Sequence, residues 1–277
     1  TDGNPDHRCT YGSVQISLIT LFLITSVLAF SEINVKKVPY ESMIKSDDGI
    51  IFVEGDSAPY TGIIEKKSDD GRVESTISIK DGKLEGIERN YFPNGKLKSE
   101  QNFSMGALNG PAKYFFESGK IYIISNYKND TLDGKLTEYQ EDGKVLQELL
   151  YEANQLSGLI KLYRDGHLEF ETQYANNEKN GLSKKYYPNG RLLSEVIFKD
   201  GKEIGILKGY SQTGKLQGEI PYNNGVIEGI VKVYYENGKV QEESTYKNGM
   251  KNGITKFYDE NGNFLKQANF VDDKQVD

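Results

Sequence analysis

From Gly62 onward, apolar and polar positions alternate in short runs, and the runs repeat. An aromatic stands five residues after each opening glycine but the first, at Tyr91, Phe115, Tyr139, Tyr163, Tyr186, Tyr210, Tyr234 and Tyr258, the first unit having Lys67 there and Ile79 in place of the second aromatic. A second stands eight residues after each later mid-repeat glycine, at Phe103, Tyr127, Tyr151, Tyr174, Phe198, Tyr222, Tyr246 and Phe270. Two residues after the mid-repeat glycine the chain is aliphatic in most units, as at Leu97, Ile121, Leu192 and Val240. The opening glycines run from Gly62 to Gly253 in steps of 24, except for a step of 23 between Gly158 and Gly181. There Tyr163-Arg164-Asp165-Gly166 replaces the longer form Tyr139–Gly143. A period of this size denotes a repeat architecture.

Half of such a unit is one strand of roughly six residues plus a turn. Asn-Gly at 94–95, 189–190, 237–238, 248–249 and 261–262 is a strong hairpin signal. Two glycines per unit and the β-branched runs oppose a helical solenoid. The predicted fold is therefore all-β: an elongated single antiparallel sheet of about 18 strands in nine hairpins, spanning on the order of 85 Å. Residues 62–277 hold the repeats, and 30–61 form a lead-in and capping hairpin that covers the open sheet edge.

Two charged ladders accompany the apolar rows. A cation stands three residues after most opening glycines (Arg89, Lys113, Lys161, Lys184, Lys208, Lys232, Lys256), with Thr137 the exception. An acid stands five after most mid-repeat glycines (Glu100, Glu148, Glu171, Glu195, Glu219, Glu243). A two-residue loop at Asn94-Gly95 sets Arg89 opposite Glu100. A three-residue loop with a bulged glycine sets Tyr91 opposite Leu97 and places cation and acid on opposite faces. Segregation of the apolar set favours the second register over exposed ion pairs.

Residues 1–29 read as an N-terminal segment with a signal peptide. Ser13–Phe30 is apolar and uncharged, and Ile16–Leu28 has the length of a signal-peptide core rather than a membrane span. Cleavage is expected after Ala29, leaving no stable membrane insertion. The expected location is exported: periplasm, cell surface or secreted.

Composition narrows the function. The net charge of -7 disfavours nonspecific binding to nucleic acid or anionic lipid. One cysteine, Cys9, excludes an intrachain disulfide framework, and only His7 and His167 could serve histidine chemistry. His167 fills a slot held by a basic residue in other repeats and reads as a solvated turn residue. The glycines follow the repeat period and precede no helix, so no phosphate loop is present. No catalytic, cofactor-binding or metal-ligating set is expected, and the chain reads as a non-enzyme. The candidate interaction surface comprises the second aromatics Phe92, Phe116, Tyr187 and Tyr235, expected as an exposed row opposite the regular aromatics, with Lys232 and Glu243 of the ladders.

Gly229, Tyr234-Tyr235, Asn237-Gly238, Lys239, Val240, Glu243 and Tyr246 resemble the unit of the bacterial MORN-repeat-variant family. So do Gly86, Tyr91-Phe92, Asn94-Gly95, Lys96-Leu97, Glu100 and Phe103, and Pro59-Tyr60-Thr61-Gly62 is similar to that family's lead-in motif. The resemblance implies a scaffold or interaction module, and bacterial members of the YwqK type are labelled antitoxins. The expected partner is a protein of unknown identity, with a cognate toxin or a cell-envelope component as candidates. An antitoxin or immunity protein is the alternative reading, and a glycan-binding surface protein the second alternative.

Overall fold

Each repeat folds as two antiparallel strands because its β-branched and aromatic positions are punctuated by residues suited to left-handed backbone. The computed structural model describes residues 35–276. The apolar segment Ser13–Phe30 and its cleavage position lie outside the described residues. Among the described residues the main sheet has 23 strands, and from Gly62–Lys67 to Lys274–Val276 they pair antiparallel in sequence order, with Thr131–Leu132 and Gly134–Tyr139, Gln155–Leu156 and Gly158–Arg164, and Val226–Ile227 and Gly229–Tyr234 each sharing one preceding partner. The sheet is mixed rather than purely antiparallel. Lys37–Pro39 lies parallel to Gly62–Lys67, with Val38 opposite Ile64.

That first edge is also where the aliphatic core concentrates. Val38, Ile51, Val53, Tyr60, Ile64 and Ile79 form one buried cluster. The Tyr60 hydroxyl donates to the carbonyls of Lys36 at 2.7 Å and Ile63 at 3.1 Å. Met43–Lys45 and Ile51–Val53 form a separate two-stranded hairpin beside it.

The two hairpin registers that exclude each other on paper occur together. Phe92 N–H donates to Lys96 O and Gly95 N–H to Phe92 O, both at 2.8 Å, closing a three-residue loop with Gly95 at φ +80°. Tyr91 then faces Leu97. A bulge leaves Lys98 without an opposite residue, so Asn90 faces Ser99 and Arg89 faces Glu100. The same shift recurs at Tyr234↔Val240 and Lys232↔Glu243. The expectation that cation and acid lie on opposite faces is thus corrected. One extra residue per hairpin brings both ladders to the face that carries the first aromatic row, Tyr91 to Tyr258.

Asn-Gly serves two different turns. Asn248-Gly249 is a two-residue turn with both residues left-handed, at φ +51° and +82°. Asn94, Asn189, Asn237 and Asn261 sit inside three-residue loops, where only the glycine has positive φ. The opening glycines make no turn; they mark bulges within the strands, as at Gly229 between the Tyr222↔Ile227 and Gly218↔Val233 pairings.

Beyond the capped edge, the deepest burial belongs to small side chains. Ala112 pairs with Ser125, Thr172 with Ser183 and Ser244 with Thr255, along a row two residues after the opening glycines. Ala112, Ser125, Thr172, Ser244 and Thr255 are all buried. A single sheet has no second layer to cover a large side chain, so the centre is filled by small ones. The hydroxyls satisfy one another, as in Thr172–Ser183 at 2.8 Å and Ser244–Thr255 at 3.0 Å.

Candidate interaction face

The face carrying the first aromatic row is organised by a link between repeats. Five successive tyrosines reach back to the ladder acid of the preceding unit. Tyr163 donates to Glu148 at 3.2 Å, Tyr186 to Glu171 at 2.6 Å, Tyr210 to Glu195 at 2.9 Å, Tyr234 to Glu219 at 2.8 Å and Tyr258 to Glu243 at 3.1 Å. Two of these carboxylates also take ladder cations, Lys184–Glu171 at 3.4 Å and Lys232–Glu243 at 3.7 Å, and Arg89–Glu100 pairs at 2.9 Å in a unit followed by Phe115.

Electrostatics follow from that geometry. Burial, then the adjacent carboxylate, pushes Tyr210 and Tyr234 up to about 12. The Tyr186 hydroxyl is the main cause holding Glu171 below the usual carboxylate range, and Lys135 does the same for Glu148. The phenols therefore stay protonated as donors and these acids stay charged as acceptors. The arrangement suits a fixed lattice of hydrogen bonds rather than proton transfer.

The second aromatics take a different place from the exposed row expected of them. Phe92, Phe116, Tyr187 and Tyr235 are half-buried. Tyr187 donates to Tyr210 O at 2.8 Å and Tyr235 to Tyr258 O at 2.9 Å, tying each unit to the next. Phe116 packs on Tyr122 with ring centres 4.9 Å apart, and Lys98 Nζ lies 6.0 Å from the Phe92 ring centre. Lys232 and Glu243 do meet, on the face opposite to Tyr235 by strand alternation.

A feature the sequence reading passed over is the residue immediately after each opening glycine. Leu159, Leu182, Ile206, Ile230 and Ile254 occupy that place in five successive repeats, with exposures from 38% to 51%. By alternation they share the face of the tyrosine, lysine and glutamate rows, and Ile197, opposite Leu182, joins them at 48%. The signal was in the sequence as a recurring aliphatic outside the apolar positions already assigned to the core.

The repeat geometry agrees with a family model, that of the MORN repeat variant. It matches residues 84–105, 108–129, 132–153, 179–200, 203–224, 227–248 and 251–272, more than half of the chain. The chain belongs to the MORN repeat variant family. As a MORN repeat protein it is a repeat scaffold for interaction with protein or lipid. The stretch between 153 and 179, which contains the shortened turn, is the one gap longer than two residues between matched MORN units.

No curated protein matches the chain. A solved structure described as "Crystal Structure of TcdB2-TccC3-Cdc42" is similar over 80% of this chain and 15% of that one, at 12% identity and a TM-score of 0.15. The chain thus spans a small part of that structure, and a likeness at that TM-score carries no argument.

Proposed function

We propose that this MORN repeat protein is a non-enzymatic scaffold that binds a partner protein through the aliphatic row Leu159, Leu182, Ile206, Ile230 and Ile254. The observation that carries the reading is the exposure of that row in five successive repeats. At about 10 Å per two strands the row extends for roughly 40 Å, the scale of a protein interface rather than a small-molecule site. Scattered surface apolar residues need no explanation, but an aligned row of them marks a binding surface.

Protein is favoured over an anionic membrane by charge. Lys184 and Lys232 beside the row pair with Glu171 and Glu243, Lys161, Lys208 and Lys256 stand opposite Glu171, Glu219 and Glu243, and the chain's net charge is -7. A surface that attracts anionic lipid needs cations in excess of acids. We further propose export of the chain, on the strength of the apolar run Ser13–Phe30.

The test is affinity capture with the chain from Phe30 onward, comparing wild type with an Ile206→Ser/Ile230→Ser variant by quantitative mass spectrometry. A partner enriched by wild type and lost from the folded variant supports the reading. Equal recovery by both, or binding only to anionic vesicles, overturns it. Recovery of the chain solely from the cytosol would overturn export.

A further inference from the structure

Five turns along one edge of the sheet are stapled to the next by the basic residue that follows the mid-repeat glycine, whereas Lys144 and Lys215 in the same slot pair with the carboxylates of Asp142 and Glu236. Arg72 donates to Pro93 O at 2.5 Å, Lys96 to Ser118 O at 2.7 Å, Lys120 to Glu141 O at 2.8 Å and Arg191 to Gln212 O at 2.9 Å. Lys239 donates to Asn261 O in the same way. In each case an alkyl stem crosses to the next turn and a cation ends on its backbone carbonyls. These oxygens are suitable acceptors because a tight turn leaves them unpaired.

His167 holds this slot in the shortened repeat. The loop there is only Asp165-Gly166, between the paired residues Arg164 and His167. A shorter side chain on a shorter turn leaves the staple unmade. Among the described residues no donor from this turn reaches Pro188 O or Asn189 O, the equivalents of the carbonyls used elsewhere.

Between this turn and the next is a cleft of about 100 Å³ whose lining includes Arg164, Asp165, His167, Glu169, Tyr187 and Pro188. The corresponding cleft between the first two turns is about 190 Å³, and Arg72, Phe92 and Pro93 are among its lining residues. There the cation is in place, donating to Pro93 O. A turn-to-turn cleft of this kind thus borders a cation in the first repeat.

We propose that the cleft between the turns Arg164–His167 and Tyr187–Arg191 is a socket for a lysine or arginine side chain of the partner protein. The partner supplies in trans the cation that neighbouring repeats supply in cis. The proposal rests on the scaffold reading and names where the partner is held in register. Near-identical repeats offer a partner several equivalent alignments, and the one slot before a further repeat turn that holds neither lysine nor arginine distinguishes one. The apolar part of the lining takes the methylene stem. The carbonyls of Pro188 and Asn189 and the carboxylates of Asp165 and Glu169 receive the charge. Arg164 is the cation already present, with its Nε on Glu169 at 2.9 Å and its side chain 74% exposed. The net charge of -7 draws a basic segment to the surface.

The experiment is a titration of the ¹⁵N-labelled chain, followed by two-dimensional NMR, with N-acetyl-lysine methylamide and N-acetyl-arginine methylamide. N-acetyl-norleucine methylamide is the uncharged control. The expected result is saturable shifts at residues 164–169 and 186–188 with the cationic probes and none with norleucine. His167→Lys, on an exposed turn, fills the socket from within and weakens probe binding by about tenfold or more. Glu169→Gln weakens it without filling the space and serves if His167→Lys does not fold. Shifts spread equally over all turns, unchanged binding in folded His167→Lys, or no saturation overturns the proposal. Loss of partner capture in Ile206→Ser/Ile230→Ser, with no probe binding in wild type, refutes the socket and leaves the scaffold. Probe binding with no capture refutes the scaffold alone.

Discussion

Tyr234 donates its phenolic hydrogen to Glu219, 15 residues earlier, at 2.8 Å, and Glu243 of its own repeat accepts in turn from Tyr258 at 3.1 Å. The carboxylate row thereby joins consecutive repeats as well as the two strands of one hairpin. Coupling between neighbours governs the stability of a repeat array.

Tyr234→Phe removes one such link and is expected to destabilise the sheet by about 1 kcal/mol, the lower end for a bond to a charged acceptor because the site is half-exposed. A raised phenol pKa means that its stabilisation is complete below the ordinary value near 10 and is lost as pH rises toward the folded value of about 12. Urea denaturation followed by circular dichroism between pH 9 and pH 12, on the order of these two values, should show wild-type stability falling more steeply than that of the variant. Parallel pH curves would contradict the link.

Glu171 titrates in the opposite sense. Its folded pKa is lowered, chiefly by the Tyr186 hydroxyl. The stability it contributes is present above the ordinary glutamate value and is lost as pH falls through the folded one. Tyr186→Phe should therefore shift the acid-unfolding midpoint upward in a circular dichroism titration.

Ser125 is 1% exposed and its Oγ has no hydrogen-bond partner, because Ala112 stands where Thr172 and Ser183, or Ser244 and Thr255, bond to each other. Ser125→Ala is expected to stabilise by about 1 kcal/mol, and Ser244→Ala to destabilise by a similar amount by leaving Thr255 short of a partner. Opposite displacements of the urea midpoint check both.

Met105 adopts φ +51° at the first position of a two-residue turn and is 73% exposed. Asparagine enters the left-handed region at lower cost than an unbranched apolar side chain. Met105→Asn should stabilise by roughly 0.5–1 kcal/mol, read as a rise in melting temperature.

Gly62 carries the strongest steric demand among the opening glycines. A Cβ there would lie 2.5 Å from Lys36 O and would also overlap the Tyr60 hydroxyl. Gly238 shares a positive φ, at +83°, but opens onto free space. Gly62→Ala should cost several times the ~1 kcal/mol expected for Gly238→Ala. It should also release the strand Lys37–Pro39, seen as faster amide exchange at Ile63 and Ile64.

The sequence by itself determined the repeat, the strand positions and the turns, because these depend on local backbone preference and on spacing along the chain. It also offered two registers, Tyr91 with Leu97 or Arg89 with Glu100, as exclusive choices. Only the folded sheet showed both, since a bulge at Lys98 is a response to packing on both sides of the strand. Contacts 15 to 23 residues apart, such as Tyr234–Glu219 and Tyr235–Tyr258, likewise depend on how one hairpin lies on the next. The tertiary structure turned the second aromatics from an expected exposed row into ties between repeats, and it exposed the aliphatics after the opening glycines. Spacing places a residue on a strand and a face; only neighbours across the sheet decide whether that face is covered.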